Sequence, residues 1–203
     1  MKSNITKSAL LILLIVFSVN FSGCGYNTLV TMQESVNSAW SQVENQYQRR
    51  ADLIPNLVKT VQGSADFEKS VLTEVTDARS RVGQMKLSAD DLSDPEKFAQ
   101  FQKAQDQLSG SLARLLVVSE NYPQLKSNEA FLQLQSQLEG TENRISVERK
   151  RYNETVQAYN TEVKSYPAMI MAKIFGIKEK EYFKAVTGSD KAPDVNFDFK
   201  KKK

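Results

Sequence analysis

Few residues in this chain are equipped to do chemistry. Among 203 residues there is no histidine and a single cysteine, Cys24. The commonest general base near neutral pH and the commonest metal ligand are therefore both missing. One thiol forms neither an intrachain disulfide nor a thiolate metal cluster. The remaining polar groups of interest gather in two stretches. "RRADLIPN" supplies Arg49, Arg50, Asp52 and Asn56 around Pro55, and "TENRISVERKRYN" supplies Glu142, Asn143, Arg144, Arg149, Tyr152 and Asn153. Neither spacing assembles an acid, a base and a nucleophile, so no catalytic set is predicted. Helical-bundle sites for paired metals use Glu-x-x-His motifs, which this chain cannot form, so no metal and no other cofactor is expected.

Arg50, Asp52, Asn56, Glu142, Arg149, Tyr152 and Asn153 are then candidates for an interhelix polar network or for binding contacts. Glu142 and Arg149 stand seven apart, on similar sides of a helix, where both reach a neighbour. Buried polar pairs of this kind fix helix register even where they add little stability. A helix bent at Pro55 would free backbone groups and line a groove. Its alternative use is as a binding site for a small amphipathic ligand or peptide.

Cys24 has a distinctive setting. Lys2 and Lys7 precede the apolar run "ALLILLIVFSVNF", which is followed by Ser22, Gly23 and the cysteine. A positive start, a short apolar centre and small residues make a secretory signal. The run reaches only about 20 Å as a helix, against a hydrocarbon core of roughly 30 Å. "FSGC" also resembles the lipobox of bacterial lipoproteins, although Phe21 replaces the usual leucine. That resemblance implies lipidation at Cys24, with removal of residues 1–23. The alternatives are a retained single transmembrane helix and ordinary cleavage.

The segments that position these residues read as helices. Leu29, Met32, Val36, Trp40, Val43, Tyr47, Ile54, Leu57 and Val61 recur every three or four residues after Tyr26, apart from a gap before Ile54. This predicts one long amphipathic helix, kinked around residues 51–55. A second is expected over residues 66–85, and a third beginning at Asp94 and Pro95, or at a Ser93/Glu96 capping box. The third should stop at "ENYP", with "QLKSN" as a turn. The fourth, over residues 128–166, carries Phe131, Leu134, Leu138, Thr141, Ile145, Glu148, Tyr152, Val156, Tyr159, Val163 and Tyr166. Tyr152, Tyr159 and Tyr166 are spaced by heptads, a coiled-coil-like seam. "AMIMAKIFGIKEKEYF" reads as a short terminal helix interrupted near Gly176. The polar remainder, residues 189–203, reads as a mobile tail.

No alternating run suggests a strand. The expected fold is all-α, an elongated antiparallel up-and-down bundle with long first and fourth helices, spanning residues 24–188. With 27 Lys plus Arg against 24 Asp plus Glu, no strong field points to nucleic acid.

Four stretches together resemble the LemA family of bacterial envelope proteins: "GYNTLVTMQESVNSAWSQVENQYQRRADLIPNLVKTV", "VTDARS", "VVSENYPQLKSNEAFLQLQSQLEGTENRISVERKRYNETVQAYN" and "YPAMIMAKIFG". The resemblance implies an all-helical antiparallel bundle, attached to a membrane at its N-terminus and without an accepted enzymatic activity. It implies envelope proteins as partners, including membrane quality-control and protease systems. The expected function is a non-enzymatic, membrane-anchored scaffold or adaptor.

Overall fold

The structure, a computed structural model, describes residues 2–63 and 67–184, with side chains described from Gly25 onward. The tail over residues 189–203 and the side chain of Cys24 lie outside the described residues. Among the described residues there are six α-helices and no strand. They are α1 (Lys2–Gln62), α2 (Lys69–Gln84), α3 (Pro95–Ser119), α4 (Pro123–Lys126), α5 (Glu129–Lys164) and α6 (Ala168–Phe175).

The frame is the pairing of α1 with α5, the most extensive helix pairing among the described residues. Their apolar stripes explain why. Leu29, Val36, Trp40, Val43, Tyr47, Ile54, Leu57 and Val61 of α1 are all buried. So are Phe131, Leu138, Ile145, Tyr152, Val156, Tyr159 and Val163 of α5. The 36 residues of α5 make a rod of about 54 Å at 1.5 Å per residue. Tyr166 departs from the predicted seam: it lies beyond the end of α5 and is 79% exposed.

The first helix differs from expectation at its start. Its backbone is helical from Lys2, so the bundle helix does not begin after Tyr26 but continues the apolar run without a linker. It remains helical through Pro55, around which a kink was expected. Proline removes the donor that would bond the carbonyl four residues earlier. That carbonyl, on Ala51, accepts instead from Arg79 Nε at 3.0 Å. A side chain of α2 thus replaces the missing donor.

The short connections follow local chemistry. Asp94 caps α3, accepting from the Glu96 and Lys97 amides, with Pro95 in the first helical position. The Asp94 cap thus forms instead of the Ser93/Glu96 box. Asn128 caps α5 by accepting from the Phe131 amide. Two segments carry more structure than expected. The polar stretch before α3 is not only a linker: Asp91–Ser93 forms a 3-10 turn that buries Leu92 completely. "PQLK" is a helical turn, α4, that buries Leu125, because Pro123 is well suited to a helix's first position.

The largest surprise of the fold follows α6. Gly176 closes that helix in the left-handed region, at φ 66°, where glycine carries no steric penalty. The helix does not resume beyond it. Residues 177–184 continue as a non-helical strap and bury Lys180 and Phe183 against the bundle.

Candidate functional site

Two polar constellations stand out. The first is a layer across α1, α3 and α5, lying between the two apolar clusters of the core. Arg50 is 1% exposed at its centre. Its Nη1 donates to Glu142 Oε2 at 2.8 Å and to Ser109 Oγ at 2.6 Å. Its Nη2 donates to Gln105 Oε1 at 2.6 Å and to the Gln105 carbonyl at 3.3 Å. The guanidinium lies 5.3 Å over the Tyr47 ring. One step along, Arg149 Nε donates to the Tyr47 hydroxyl at 2.6 Å and Nη2 to Asp106 at 3.1 Å. Burial pushes the Tyr47 phenol up to about 12, against the opposing pull of Arg149.

Such a layer is well built for register and poorly built for chemistry. The three helices α1, α3 and α5 each contribute a partner. A buried guanidinium with several acceptors also rejects any slip that would leave it unpaired. Glu142 and Arg149, seven residues apart on α5, each reach both α1 and α3.

The second constellation grips the strap. Asn160 Nδ2 donates to the Lys180 carbonyl at 2.8 Å while its Oδ1 accepts from the Lys180 amide at 2.9 Å. Asn153 does the same to Phe183, at 2.9 Å in both directions. Gln102 of α3 repeats the device on Lys184, at 2.7 and 3.2 Å. Tyr152 and Tyr159 donate to the carbonyls of Glu181 and Lys178, both at 3.1 Å. The Lys180 ammonium donates to the Ala89 carbonyl at 2.7 Å, and burial pushes its pKa down.

The register has a simple origin. "YN" occurs at residues 152–153 and again at 159–160. Seven residues of helix advance about 10.5 Å, and three residues of extended chain about 10 Å. The tyrosines therefore meet carbonyls three apart, at Lys178 and Glu181. The asparagines meet residues three apart, at Lys180 and Phe183. The heptad repeat of α5 acts as a ruler for the strap.

Of the candidate residues, the structure joins Arg50 with Glu142, places Arg149 beside them, and gives Tyr152 and Asn153 to the strap. Asp52 and Asn56 belong to neither group. Both are exposed; Asp52 accepts from Gln48 one turn away, and the Asn56 carbonyl accepts from Thr60. Arg50, Asn56 and Tyr152 do not converge on a common groove at Pro55. Sequence reasoning missed Tyr47, Gln105, Asp106, Ser109 and Asn160. The repeated "YN" was the signal available for the last. Among the described residues no group of histidine, cysteine, aspartate or glutamate is placed to hold a metal ion.

The fold and its polar layer define an elongated, all-helical bundle locked by interhelix hydrogen bonds. The chain belongs to the LemA family, whose model matches residues 39–197. It is 30% identical to magnetosome protein MamQ 2 of Paramagnetospirillum magneticum, over 81% of this chain and 66% of that protein. It is 28% identical to magnetosome protein MamQ of Magnetospirillum gryphiswaldense, over 78% of this chain and 64% of the relative. With Protein LemA of Metamycoplasma hominis the identity is 23%, over 78% and 68%. The chain thus spans about two thirds of the length of these curated relatives.

Proposed function

We propose that this chain is a membrane-tethered, non-enzymatic helical rod of the bacterial envelope, acting as a scaffold or adaptor for envelope protein partners. The observation that carries the reading is that α1 is already helical at Cys24 and runs unbroken to Gln62. A helix that runs from its attachment point straight into a locked bundle gives a rod with a fixed stance at its tether. The tether is a lipid on Cys24, or the retained apolar segment. The short reach of that segment, about 20 Å against a core of roughly 30 Å, favours the lipid. From Gly25 onward, where side chains are described, no helix is long and apolar enough to cross a membrane. Membership of the LemA family and likeness to magnetosome proteins support a membrane-associated envelope protein; an association with membrane protein quality control is the more specific form of this proposal.

The polar layer supports the same reading, because Arg50 at its centre is buried and its two terminal nitrogens are held by Glu142, Ser109 and Gln105. Two measurements test it. Intact-mass spectrometry of the mature protein beside Cys24→Ala should show the mass of a diacylglyceryl group and loss of residues 1–23 only with the cysteine present. Pull-down after mild crosslinking should recover a defined set of envelope proteins. Recovery of the same background as an unrelated lipid-anchored control would overturn the scaffold role.

A further inference from the structure

The apolar side chains left outside the core are not spread evenly. Eleven large hydrophobic residues are exposed among the described residues, and six of them gather at one end: Tyr26, Val30, Tyr166, Ile170, Ile174 and Phe175. The rest are scattered singly along the rod, as is ordinary for a soluble surface. A contiguous apolar patch is not ordinary and marks a surface that something covers.

The patch is built around α6. Its inner face is small: Ala168 and Ala172 are buried, and the Ala168 backbone comes close enough that a Cβ built on Gly25 would lie 3.8 Å from its Cα. Its outer face is large, with Ile174 66% and Ile170 42% exposed. At its far end the Phe175 ring lies 4.6 Å from the Tyr26 ring. Ala168 and Phe175 are about 10 Å apart along α6, yet they meet adjacent residues of α1. Both ends of α6 are therefore held to the base of α1.

We infer that α6 is a second membrane contact, a short helix lying in the lipid headgroup region with Ile170, Ile174 and Tyr166 directed into the bilayer surface. The inference rests on the membrane tether proposed above, and it holds for either form of that tether. If Cys24 is acylated, Gly25 is the next residue. If the apolar run is retained, Gly25 lies about 6 Å beyond Phe21 at 1.5 Å per residue, within the polar margin of a bilayer. A helix held to Gly25 and Tyr26 at its two ends stays near that depth. Lys173 and Lys178 flank the patch and form no ion pair with a described residue, which suits anionic headgroups. Tyr26 and Tyr166 are of the type that settles at such interfaces.

The test uses the full chain, processed by its own cell and reconstituted into vesicles of phosphatidylethanolamine and phosphatidylglycerol. An environment-sensitive fluorescent amino acid replaces Ile174, or, as the reference, the exposed Leu132 near the other end of the rod. Flotation reports the tether, and quenching by doxyl-labelled lipids reports contact with the bilayer. The expected result is flotation of both proteins, with a blue shift and several-fold stronger quenching at position 174 than at 132. Flotation with equal quenching at the two positions would overturn the α6 contact and leave the tether standing. Failure to float would remove the tether and this inference with it. A blue shift at 174 that depends on protein concentration and ignores the lipid quencher would show that a second copy covers the patch, which also overturns it.

Discussion

The two halves of this rod solve the same packing problem with different materials. The half near Ile54, Leu57 and Val61 is closed by α2 and α3, and its core is mostly aliphatic: Val71, Val75, Leu108, Leu112, Leu115 and Leu138. The half near Leu29, Val36 and Trp40 lies beyond the end of α2. There α1 and α5 are covered by the start of α3, by Leu92 and by the strap, over an aromatic core of Trp40, Tyr47, Phe98, Phe101, Tyr152, Tyr159 and Phe183. Trp40 alone lies within 5.4 to 6.1 Å of the rings of Phe101, Tyr152, Phe183 and Phe98. A helix satisfies its own backbone and needs only an apolar face from its neighbours. An extended strap satisfies none of its backbone, so its neighbours must supply donors and acceptors as well as area. The difference teaches why asparagine, glutamine and tyrosine line one half and aliphatic side chains the other.

The largest expected effect comes from emptying the aromatic core. Trp40→Ala should destabilise the protein by about 3 to 5 kcal/mol, the usual range for deleting a large buried aromatic side chain. Leu108→Ala, in the aliphatic half, should cost about 2 to 5 kcal/mol. The informative readout is location. In native-state hydrogen exchange, Trp40→Ala should release the amides of residues 180, 181 and 183 well before those of α2, and Leu108→Ala should not. Equal release in the two variants would mean that the halves unfold as one unit.

Asn160→Ala comes next. It leaves the buried Lys180 amide and carbonyl without partners, and each unsatisfied buried group costs about 1 to 3 kcal/mol. The strap should relieve that penalty by detaching, so its amides should lose protection while α2 and the end of α3 keep theirs. Asn153→Ala should do less, because its partners at Phe183 are only partly buried. A variant that keeps full protection at Lys180 would show that apolar contact of Phe183, and not the amide clamps, holds the strap.

High pH should separate the halves in the same sense. The folded protein holds the Tyr47 proton up to about 12 against an ordinary value of 10.0. The folded state therefore binds more proton than the unfolded state between those values. Its contribution to stability is complete below pH 10 and is lost as pH rises towards 12, amounting to about 2 to 3 kcal/mol. Burial pushes Tyr152 and Tyr159 upward as well, and both belong to the aromatic half. Lys180 works in the opposite direction: its lowered pKa makes stability rise with pH until its ordinary value is passed. Tyr47→Phe should flatten the alkaline loss, measured by chemical denaturation across that range alongside tyrosinate absorbance. An unchanged slope would exclude Tyr47 as its source.

Much of this architecture is legible in the amino-acid sequence itself. The stripes of α1 and α5 follow helical spacing over many turns, and Asp94 with Pro95 announces the start of α3. The strap is not legible, because nothing local makes "IKEKEYFK" extended. Lysine and glutamate are good helix formers, and the conformation is imposed from outside by Asn153, Asn160 and Gln102. Its trace in the sequence is the doubled "YN", which reads equally well as a packing seam. The polar layer is half legible. Glu142 and Arg149 announce themselves by spacing on one helix, but their partners Gln105, Asp106 and Ser109 follow from how α3 docks. Asp52 and Asn56 are drawn in by nearness to Pro55 in sequence, while the helix turns both of them outward.

The smallest effect belongs to the aliphatic half, and it tests whether the repair at Pro55 is real. Arg79 Nε donates to the Ala51 carbonyl that the proline leaves without a donor. Arg79→Ala should cost about 1 kcal/mol, the typical net worth of one hydrogen bond. Other contacts of a long side chain could account for such a loss, so the single variant decides little. Pro55→Ala decides more, because it restores a backbone donor to Ala51. In that background Arg79→Ala should cost almost nothing, giving a coupling of about 1 kcal/mol between residues that need not touch each other. Additive losses in the double-mutant cycle, followed by urea denaturation, would mean that Arg79 acts elsewhere and that the helix tolerates Pro55 with an unpaired carbonyl.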